Sequence, residues 1–255
     1  MKRKLYHYTS LSTLASILTH RQIKFNNLTL VDDIEEGISS DVGNLGRYCF
    51  VSSWTEDGVE SIPMWNMYSG LNGIRIGLQE NPFSIYEWKD PLNPSETINS
   101  VFSEKELFQE NRYPVIQDEI LFKVNYTDDK TFLYPEIKEY VQNGYHVNIA
   151  KLGRSKNLAW KFQKEWRYAL YFYPISLQEL ITNRMVAKQK LKQNLYSNAD
   201  IMPSCIYLHI REECFDDFEV LCGPKMNDGE KIILKCLLEK YSPKTIVRES
   251  NLKLR

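Results

Sequence analysis

The stretch KLYHYTSLSTLASIL, residues 4–18, decides how the rest of the sequence is interpreted. Its first six residues have the composition of a short strand, and Thr9 or Ser10 then offers a hydroxyl that can cap a helix. An apolar stripe at helical spacing follows, made by Leu11, Leu14, Ile17 and Leu18. The stretch therefore predicts a strand that leads directly into a helix.

His7 is the unexplained residue of this stretch. A strand places His7 and Thr9 on one side and their neighbours Tyr6 and Tyr8 on the other. One interpretation is structural, with the imidazole satisfied by a local hydrogen bond before a capped helix. The other is functional, with the imidazole held in a binding cleft.

The composition limits the classes of protein to which the chain can belong. The chain has 255 residues, 43% of them hydrophobic, which predicts one domain over residues 1–255. A formal net charge of -1 gives no long-range attraction to nucleic acid or anionic lipid, although a local basic patch remains compatible with it. Five cysteines without CxxC spacing and no apolar run of membrane-spanning length predict free thiols, no membrane and a cytoplasmic location.

Strand and helix patterns alternate irregularly along the chain, which predicts an α+β fold rather than a doubly wound sheet. Strands are expected at IKFNNL, RYCFVSSW, GIRIGL, EILFKVNY, RYALYFYP, CIYLHI, FEVLCGP and KTIVRES. Helices are expected at SIPMWNMYSG, YPEIKEYVQNGYHVNIAKL, LAWKFQKEW, ISLQELITNRMVAKQKLKQ and DGEKIILKCLLEKYSP. Residues 80–118 are expected to be an irregular excursion with one short helix.

Hydroxyl and aromatic side chains form a second group of candidates. Ser52 and Ser53 come at the end of a predicted strand, and Trp65 and Tyr68 are three residues apart on one face of a predicted helix. The structural interpretation is an aromatic helix face packed into the core. The functional interpretation is a wall on which a flat ring stacks.

Glu165 and Arg167 form a third group, in KEWRYALYF at the start of a strongly hydrophobic strand. A carboxylate at the mouth of a buried strand costs free energy unless it has a partner, and Arg167 lies on the same strand face. The pair is interpreted either as a structural ion pair or as a carboxylate held in a cleft for charge stabilisation.

The acidic loop at residues 32–36 lacks the spacing of a calcium site, so Asp33 and Glu36 are expected near the His7 cleft in an electrostatic or capping role. No Cys/His pattern predicts a structural metal. The chain also lacks GxGxxG, P-loop and GxSxG motifs, which removes the usual arguments for a dinucleotide fold, an NTPase or a hydrolase.

The order of these motifs resembles the bacterial family known as domain of unknown function 2971. The resemblance rests on LYHYT, DDIEE, CFVSSW, MWNMYSG with GIRIGL, KEWR and CGP, and it spans most of the chain. The family loop has Asn-Asp-Pro where this chain has Asp32-Asp33-Ile34. A shared role of that loop would therefore rest on Asp33 and Glu36.

The order of three residues is also similar to that in ADP-ribosyltransferases with a His-Tyr-Glu triad. There a histidine lies on the first strand, a tyrosine near the middle and a glutamate at the start of a late strand, as His7, Tyr68 and Glu165 do here. The resemblance implies a split, largely antiparallel sheet with flanking helices, in which KLYHYTS and KEWRYALYF are neighbouring strands at the centre. It implies that His7 holds the nicotinamide ribose of NAD, that Tyr68 stacks on nicotinamide and that Glu165 hydrogen-bonds the ribose 2′-hydroxyl. Further contacts with NAD are expected from Tyr8, Thr9, Ser52, Ser53, Trp65 and Arg167.

The first function hypothesis is accordingly an NAD-dependent ADP-ribosyltransferase or NAD glycohydrolase, with NAD as substrate and no metal. Its acceptor would be a protein or a nucleic acid, and its context a toxin, a phage-defence factor or a regulator. A second hypothesis is a nucleotide- or nucleic-acid-binding module without catalysis. A third is a metal-dependent hydrolase or nuclease that uses Asp33, Glu36 and Glu165.

Overall fold

A computed structural model describes residues 3–142, 144–201 and 203–254. Its strands are β1 (Lys4–Thr9), β2 (Gln22–Asn27), β3 (Ile38–Ser39), β4 (Gly43–Asn44), β5 (Cys49–Thr55), β6 (Ile74–Gln79), β7 (Tyr86–Asp90), β8 (Asn93–Ser100), β9 (Tyr113–Pro114), β10 (Leu121–Lys123), β11 (Asn125–Tyr126), β12 (Lys138–Val141), β13 (Gly144–Val147), β14 (Ser155–Lys156), β15 (Glu165–Tyr173), β16 (Cys205–His209), β17 (Glu219–Cys222) and β18 (Ile246–Glu249). Its α-helices are α1 (Leu11–His20), α2 (Ile62–Tyr68), α3 (Glu104–Leu107), α4 (Lys130–Leu133), α5 (Leu177–Thr182), α6 (Arg184–Tyr196) and α7 (Asp228–Tyr241).

The opening stretch forms the predicted strand and helix. Ser10 is the N-cap of α1, and its hydroxyl accepts a hydrogen bond from the backbone N–H of Thr13 at 3.0 Å. The apolar stripe turns Leu14, Ile17 and Leu18 into the core, which gives the helix a stabilising buried face. β1 thus enters the sheet with its C-terminal end fixed by a capped helix.

The main sheet has the strand order β10-β15-β5-β1-β6-β17-β18, and its pairs are antiparallel except for β17 with β18. The predicted α+β class with a mixed, largely antiparallel sheet and several helices is confirmed at this level. Within the described part of the chain, no helix combines the length and apolar character needed to cross a bilayer. All five cysteines are free, as predicted.

β5 is the strand from which the sheet forks. One edge of β5 pairs with β15 along its whole length. Its other edge pairs with β2 near its start, at Asn26–Val51, and with β1 near its end, at Tyr6–Thr55. Since β1 and β2 use separate ends of the same edge, the sheet opens between them beside Ser52 and Ser53.

Four sequence predictions about the fold are wrong. Residues 158–166 were expected to be helical, but a 3-10 turn forms at Leu158–Gln163, and Glu165 and Trp166 begin β15. Residues 134–152 were expected to be helical. Residue 143 lies outside the described residues, and the described part of this stretch contains the β12–β13 hairpin followed by a 3-10 turn at Ile149–Lys151. The excursion at 80–118 contains the β7–β8 hairpin and the short strand β9 as well as the expected short helix α3. β1 and β15 were expected to be neighbours, but β5 lies between them.

Candidate active site

A cavity of about 410 Å³ opens at the fork of the sheet. Its walls come from β1, the start of α1, β2 and the loop after it, β5, α2, β14 and the start of β15. It is lined by Tyr6, His7, Tyr8, Thr9, Thr13, Lys24, Asn26, Leu30, Val31, Asp32, Val51, Ser52, Ser53, Trp54, Met64, Tyr68, Lys156, Gln163, Glu165 and Arg167. The volume lies within the range of small-molecule sites, about 300–1,000 Å³.

The fork explains how His7 and Glu165 reach one cavity. Tyr6, Thr55 and Glu165 lie in one row across β1, β5 and β15, so His7 is one residue out of that row. In a continuous sheet, His7 and Glu165 would therefore face opposite sides. The His7 ring stays on the face of Trp54, but the cavity is lined by the consecutive residues Val51 to Trp54 of β5 and so reaches both faces of the sheet at the fork. His7 and Glu165 therefore line one opening from opposite faces.

His7 is half-buried and fixed by its neighbours on β5. Its Nδ1 atom lies 2.8 Å from the carbonyl oxygen of Ser53, and its ring lies 5.1 Å from that of Trp54. Burial lowers the pKa of His7, although the hydrogen bond to Ser53 raises it in part. A carbonyl only accepts, so Nδ1 carries the proton of the neutral ring, which leaves Nε2 as an acceptor for a ligand hydroxyl.

Glu165 belongs to a buried cluster of four charged side chains, the cleft ion cluster, made with Arg167, Lys156 and Glu36. Oε1 of Glu165 accepts from Nε of Arg167 at 2.7 Å, and Oε2 accepts from Nζ of Lys156 at 2.8 Å. One carboxylate oxygen of Glu36 accepts a hydrogen bond from Nη1 of Arg167, and the other lies 3.1 Å from Nζ of Lys156. Each carboxylate is thus bound by both cations.

The cleft ion cluster balances its own charge. Burial by itself raises the pKa of Glu165, but the Arg167 and Lys156 cations outweigh burial and lower this pKa to about 2. Burial likewise opposes the charge on Arg167, and Glu165 and Glu36 overcome it and raise the pKa of Arg167. Within the described residues, Nη2 of Arg167 is a buried donor without a partner, so it can donate to a ligand oxygen.

The depressed pKa of Glu165 predicts acid sensitivity. Glu165 contributes its stability in full above its ordinary pKa of 4.5, and the contribution is lost as pH falls toward about 2. We expect the free energy of unfolding, measured by urea titration, to fall over this interval. Glu165→Gln removes the titrating group, so its slope against pH should be smaller. Identical slopes for the two proteins would contradict the charge assignment.

Tyr68 connects the cleft ion cluster to the loop after β2. Its hydroxyl accepts from Nε2 of Gln163 at 2.5 Å, while Oε1 of Gln163 accepts from Lys156 at 2.9 Å. The same hydroxyl hydrogen-bonds Asp32, and burial, followed by Asp32, raises the pKa of Tyr68. These contacts hold the phenol in the cavity wall and keep it neutral.

Of the other residues that the sequence predicted to contact NAD, all except Trp65 line the cavity. Tyr8, Thr9, Ser52, Ser53 and Arg167 line the cavity. Tyr8 and Ser52 have structural partners, because the Tyr8 hydroxyl accepts from the backbone N–H of Ser61 and the Ser52 hydroxyl accepts from Nε1 of Trp54.

Trp65 does not line the cavity, contrary to the expected flat wall. It is fully buried, its ring lies 4.8 Å from that of Tyr8, and its Nε1 donates to Glu60 at 3.0 Å. For Trp65 the structural interpretation therefore holds.

Asp33 and Glu36 flank the cavity rather than line it. The carboxylate of Asp33 accepts from the backbone N–H of Glu35 at 3.1 Å, which is a capping role in the turn. Glu36 supports Glu165 through the shared cations. The described residues contain no group of three or more His, Cys, Asp or Glu side chains that could hold a metal ion.

Sequence reasoning missed Asp32, Lys156 and Gln163. Gln163 had no usable signal, because it ends a 3-10 turn (Leu158–Gln163) and Lys164, in the left-handed region, separates it from the strand that starts at Glu165. Lys156 had none, since a lysine between polar residues is normally exposed, yet here it is only 5% exposed.

Comparison of this chain with protein-family models, curated proteins and solved structures finds no match.

Proposed function

We propose that the cavity binds NAD and that the protein cleaves its nicotinamide–ribose bond, as an ADP-ribosyltransferase or an NAD glycohydrolase. The observation that carries the proposal is the convergence of His7 from β1, Tyr68 from α2 and Glu165 from β15 on one cavity. Their order is the one expected from the resemblance to His-Tyr-Glu ADP-ribosyltransferases, as are the first strand for His7 and the start of a late strand for Glu165. The opening between β1 and β2 supports the split sheet that the same resemblance implies.

In the proposed complex, the nicotinamide ring stacks on Tyr68, and Nε2 of His7 accepts from a ribose hydroxyl. Glu165 is already bound by two cations, but each carboxylate oxygen has a second lone pair for the ribose 2′-hydroxyl. Nη2 of Arg167 is available to a carbonyl or phosphate oxygen of the ligand.

The proposed reaction breaks the bond between C1′ of the ribose and N1 of nicotinamide, and the bonding electrons leave with nicotinamide. C1′ then bonds to an oxygen or nitrogen of water or of a protein or nucleic-acid acceptor, which loses a proton. The positive charge that develops on the ribose is stabilised by the fixed carboxylate of Glu165. Because the ion cluster holds Glu165 in place, little reorganisation is required in the transition state.

The alternative of a metal-dependent hydrolase has less support from the geometry. It would need Asp33, Glu36 and Glu165 around one ion. Glu36 and Glu165 are instead bound to Lys156 and Arg167, and the carboxylate of Asp33 caps its own turn.

Tyr68→Ala tests the ligand-binding part of the proposal. Loss of the stacking surface should weaken NAD binding, measured by calorimetry, by roughly tenfold or more. Met67→Ala is the matched control, because Met67 is the preceding residue of α2, is 46% exposed and does not line the cavity. Equal NAD affinity for wild type and Tyr68→Ala would contradict the placement of nicotinamide on Tyr68.

A further inference from the structure

One face of α6 carries a line of basic residues that the NAD proposal does not use. Arg184, Lys188, Lys192 and Tyr196 are four residues apart in succession, so they lie on one side of the helix. We call this row the α6 stripe. At 1.5 Å per residue it extends over about 18 Å. Within the described residues, none of its three cations forms an ion pair, whereas Lys190 on another face pairs with Glu179.

The β12–β13 hairpin adds aromatic side chains beside the α6 stripe. Nζ of Lys192 lies 3.9 Å from the ring centre of Tyr145. The rings of Tyr145 and Tyr140 are 6.1 Å apart. Lys138 bridges the hairpin to the helix, with Nζ 5.3 Å from the ring of Tyr196. The hairpin and the helix therefore form one continuous basic and aromatic surface.

Large rings on this surface remain open to solvent. Tyr140 is 76% exposed and Tyr196 is 56% exposed. A tyrosine that packs so little of its ring contributes little to the core, so its exposed face is available to a partner.

Nearby carboxylates do not cancel the positive charge of the α6 stripe. Glu139 pairs with Lys151 at 3.0 Å. Asp41, whose carboxylate accepts from the backbone N–H groups of Ile137 and Lys138, offsets the charge of Lys138 on the hairpin and, in the described part of the chain, forms no ion pair with Arg184, Lys188 or Lys192. The surface is basic locally although the chain has a net charge of -1. Local basic charge interleaved with exposed aromatic rings is the pattern of nucleic-acid-binding surfaces.

We propose that this surface binds single-stranded nucleic acid, with a base stacked on Tyr140 and phosphates on the α6 stripe. Stacking on an exposed ring requires a base whose face is free, which a single strand offers and a duplex does not. Binding here does not depend on NAD cleavage and can be measured without NAD. If both proposals hold, the surface would recruit a nucleic-acid acceptor.

The test is fluorescence anisotropy of the full chain with a labelled 12-nucleotide oligo(dT) over a series of salt concentrations. Tyr140→Ala should weaken binding by roughly tenfold or more, since one stacked base is lost. Replacing both Lys188 and Lys192 by Gln should reduce the slope of log K against log salt by about 1.4, because single strands contribute about 0.7 per phosphate contact.

The controls are exposed residues of the same type elsewhere. Tyr207→Ala on β16 matches the aromatic change, and the Lys235→Gln, Lys244→Gln double variant matches the loss of two cations. Both controls should bind like wild type, and all variants should keep the wild-type melting temperature. No measurable binding of wild type at 50 mM salt would overturn the proposal. Equal effects in variants and controls, or equal affinity for a 12-base-pair duplex or for anionic lipid vesicles, would also overturn it.

Discussion

Replacing Arg167 by Met is expected to lower the free energy of unfolding by about 3–5 kcal/mol, the cost of breaking a buried ion pair by removing one partner. Arg167 is fully buried, and its guanidinium contacts Glu165, Glu36 and the carbonyl of Gly153. Without it, two buried carboxylates share the single cation of Lys156. Urea denaturation followed by circular dichroism measures the loss.

Lys123→Met provides the control for this change. Lys123 is on β10, next to β15, and pairs with Glu56, but its side chain is 55% exposed. A pair of this kind is worth about 0–1 kcal/mol. If Arg167→Met costs no more than Lys123→Met, the cleft ion cluster does not stabilise the fold as described.

Glu165→Gln is expected to reduce the rate of nicotinamide release at least a hundredfold, the order of magnitude for loss of one electrostatic stabiliser. The variant also removes one charge from the cleft ion cluster, so a loss of activity alone would not separate chemistry from stability. Glu36→Gln separates them. Both carboxylates bind Lys156 and Arg167, but only Glu165 lines the cavity.

The two Gln variants should therefore have similar melting temperatures and different activities. Turnover is measured at a temperature at which circular dichroism shows both variants to be folded. Glu36→Gln should keep turnover within about tenfold of wild type, since it alters the support of Glu165 and not the contact that we propose between Glu165 and the ribose. Parallel losses of turnover in both variants would assign Glu165 a structural role only.

Local signals were sufficient for much of the fold. Ser10 and the apolar stripe of α1 predicted the first helix, and the stretch SIPMWNMYSG predicted α2. The signals failed where strand and helix patterns overlap. Residues 138–147 carry aromatic and β-branched side chains that suit a hairpin, yet their apolar spacing also fits a helix. At 86–100 a turn at Pro91 was interpreted as irregularity, although it joins two paired strands.

The site was predicted less completely because it depends on non-local pairing. The sequence indicated His7, Tyr68 and Glu165, which line one cavity. It could not show that β5 lies between β1 and β15, since strand order is set by contacts far apart in the chain. Trp65 and Tyr68 looked equivalent on one helix face, but α2 ends at Tyr68, which leaves Tyr68 at the cavity and Trp65 in the core.

Release of nicotinamide from NAD by the wild-type protein is the most direct measurement of the central claim. It is followed by chromatography, with and without cell extract as a source of acceptors and in the presence of a metal chelator. We expect release that persists with the chelator, and a rise in melting temperature when NAD is added to the protein alone. No release under any of these conditions would contradict NAD cleavage. The absence of an NAD-dependent shift in melting temperature as well would contradict NAD binding in the cavity.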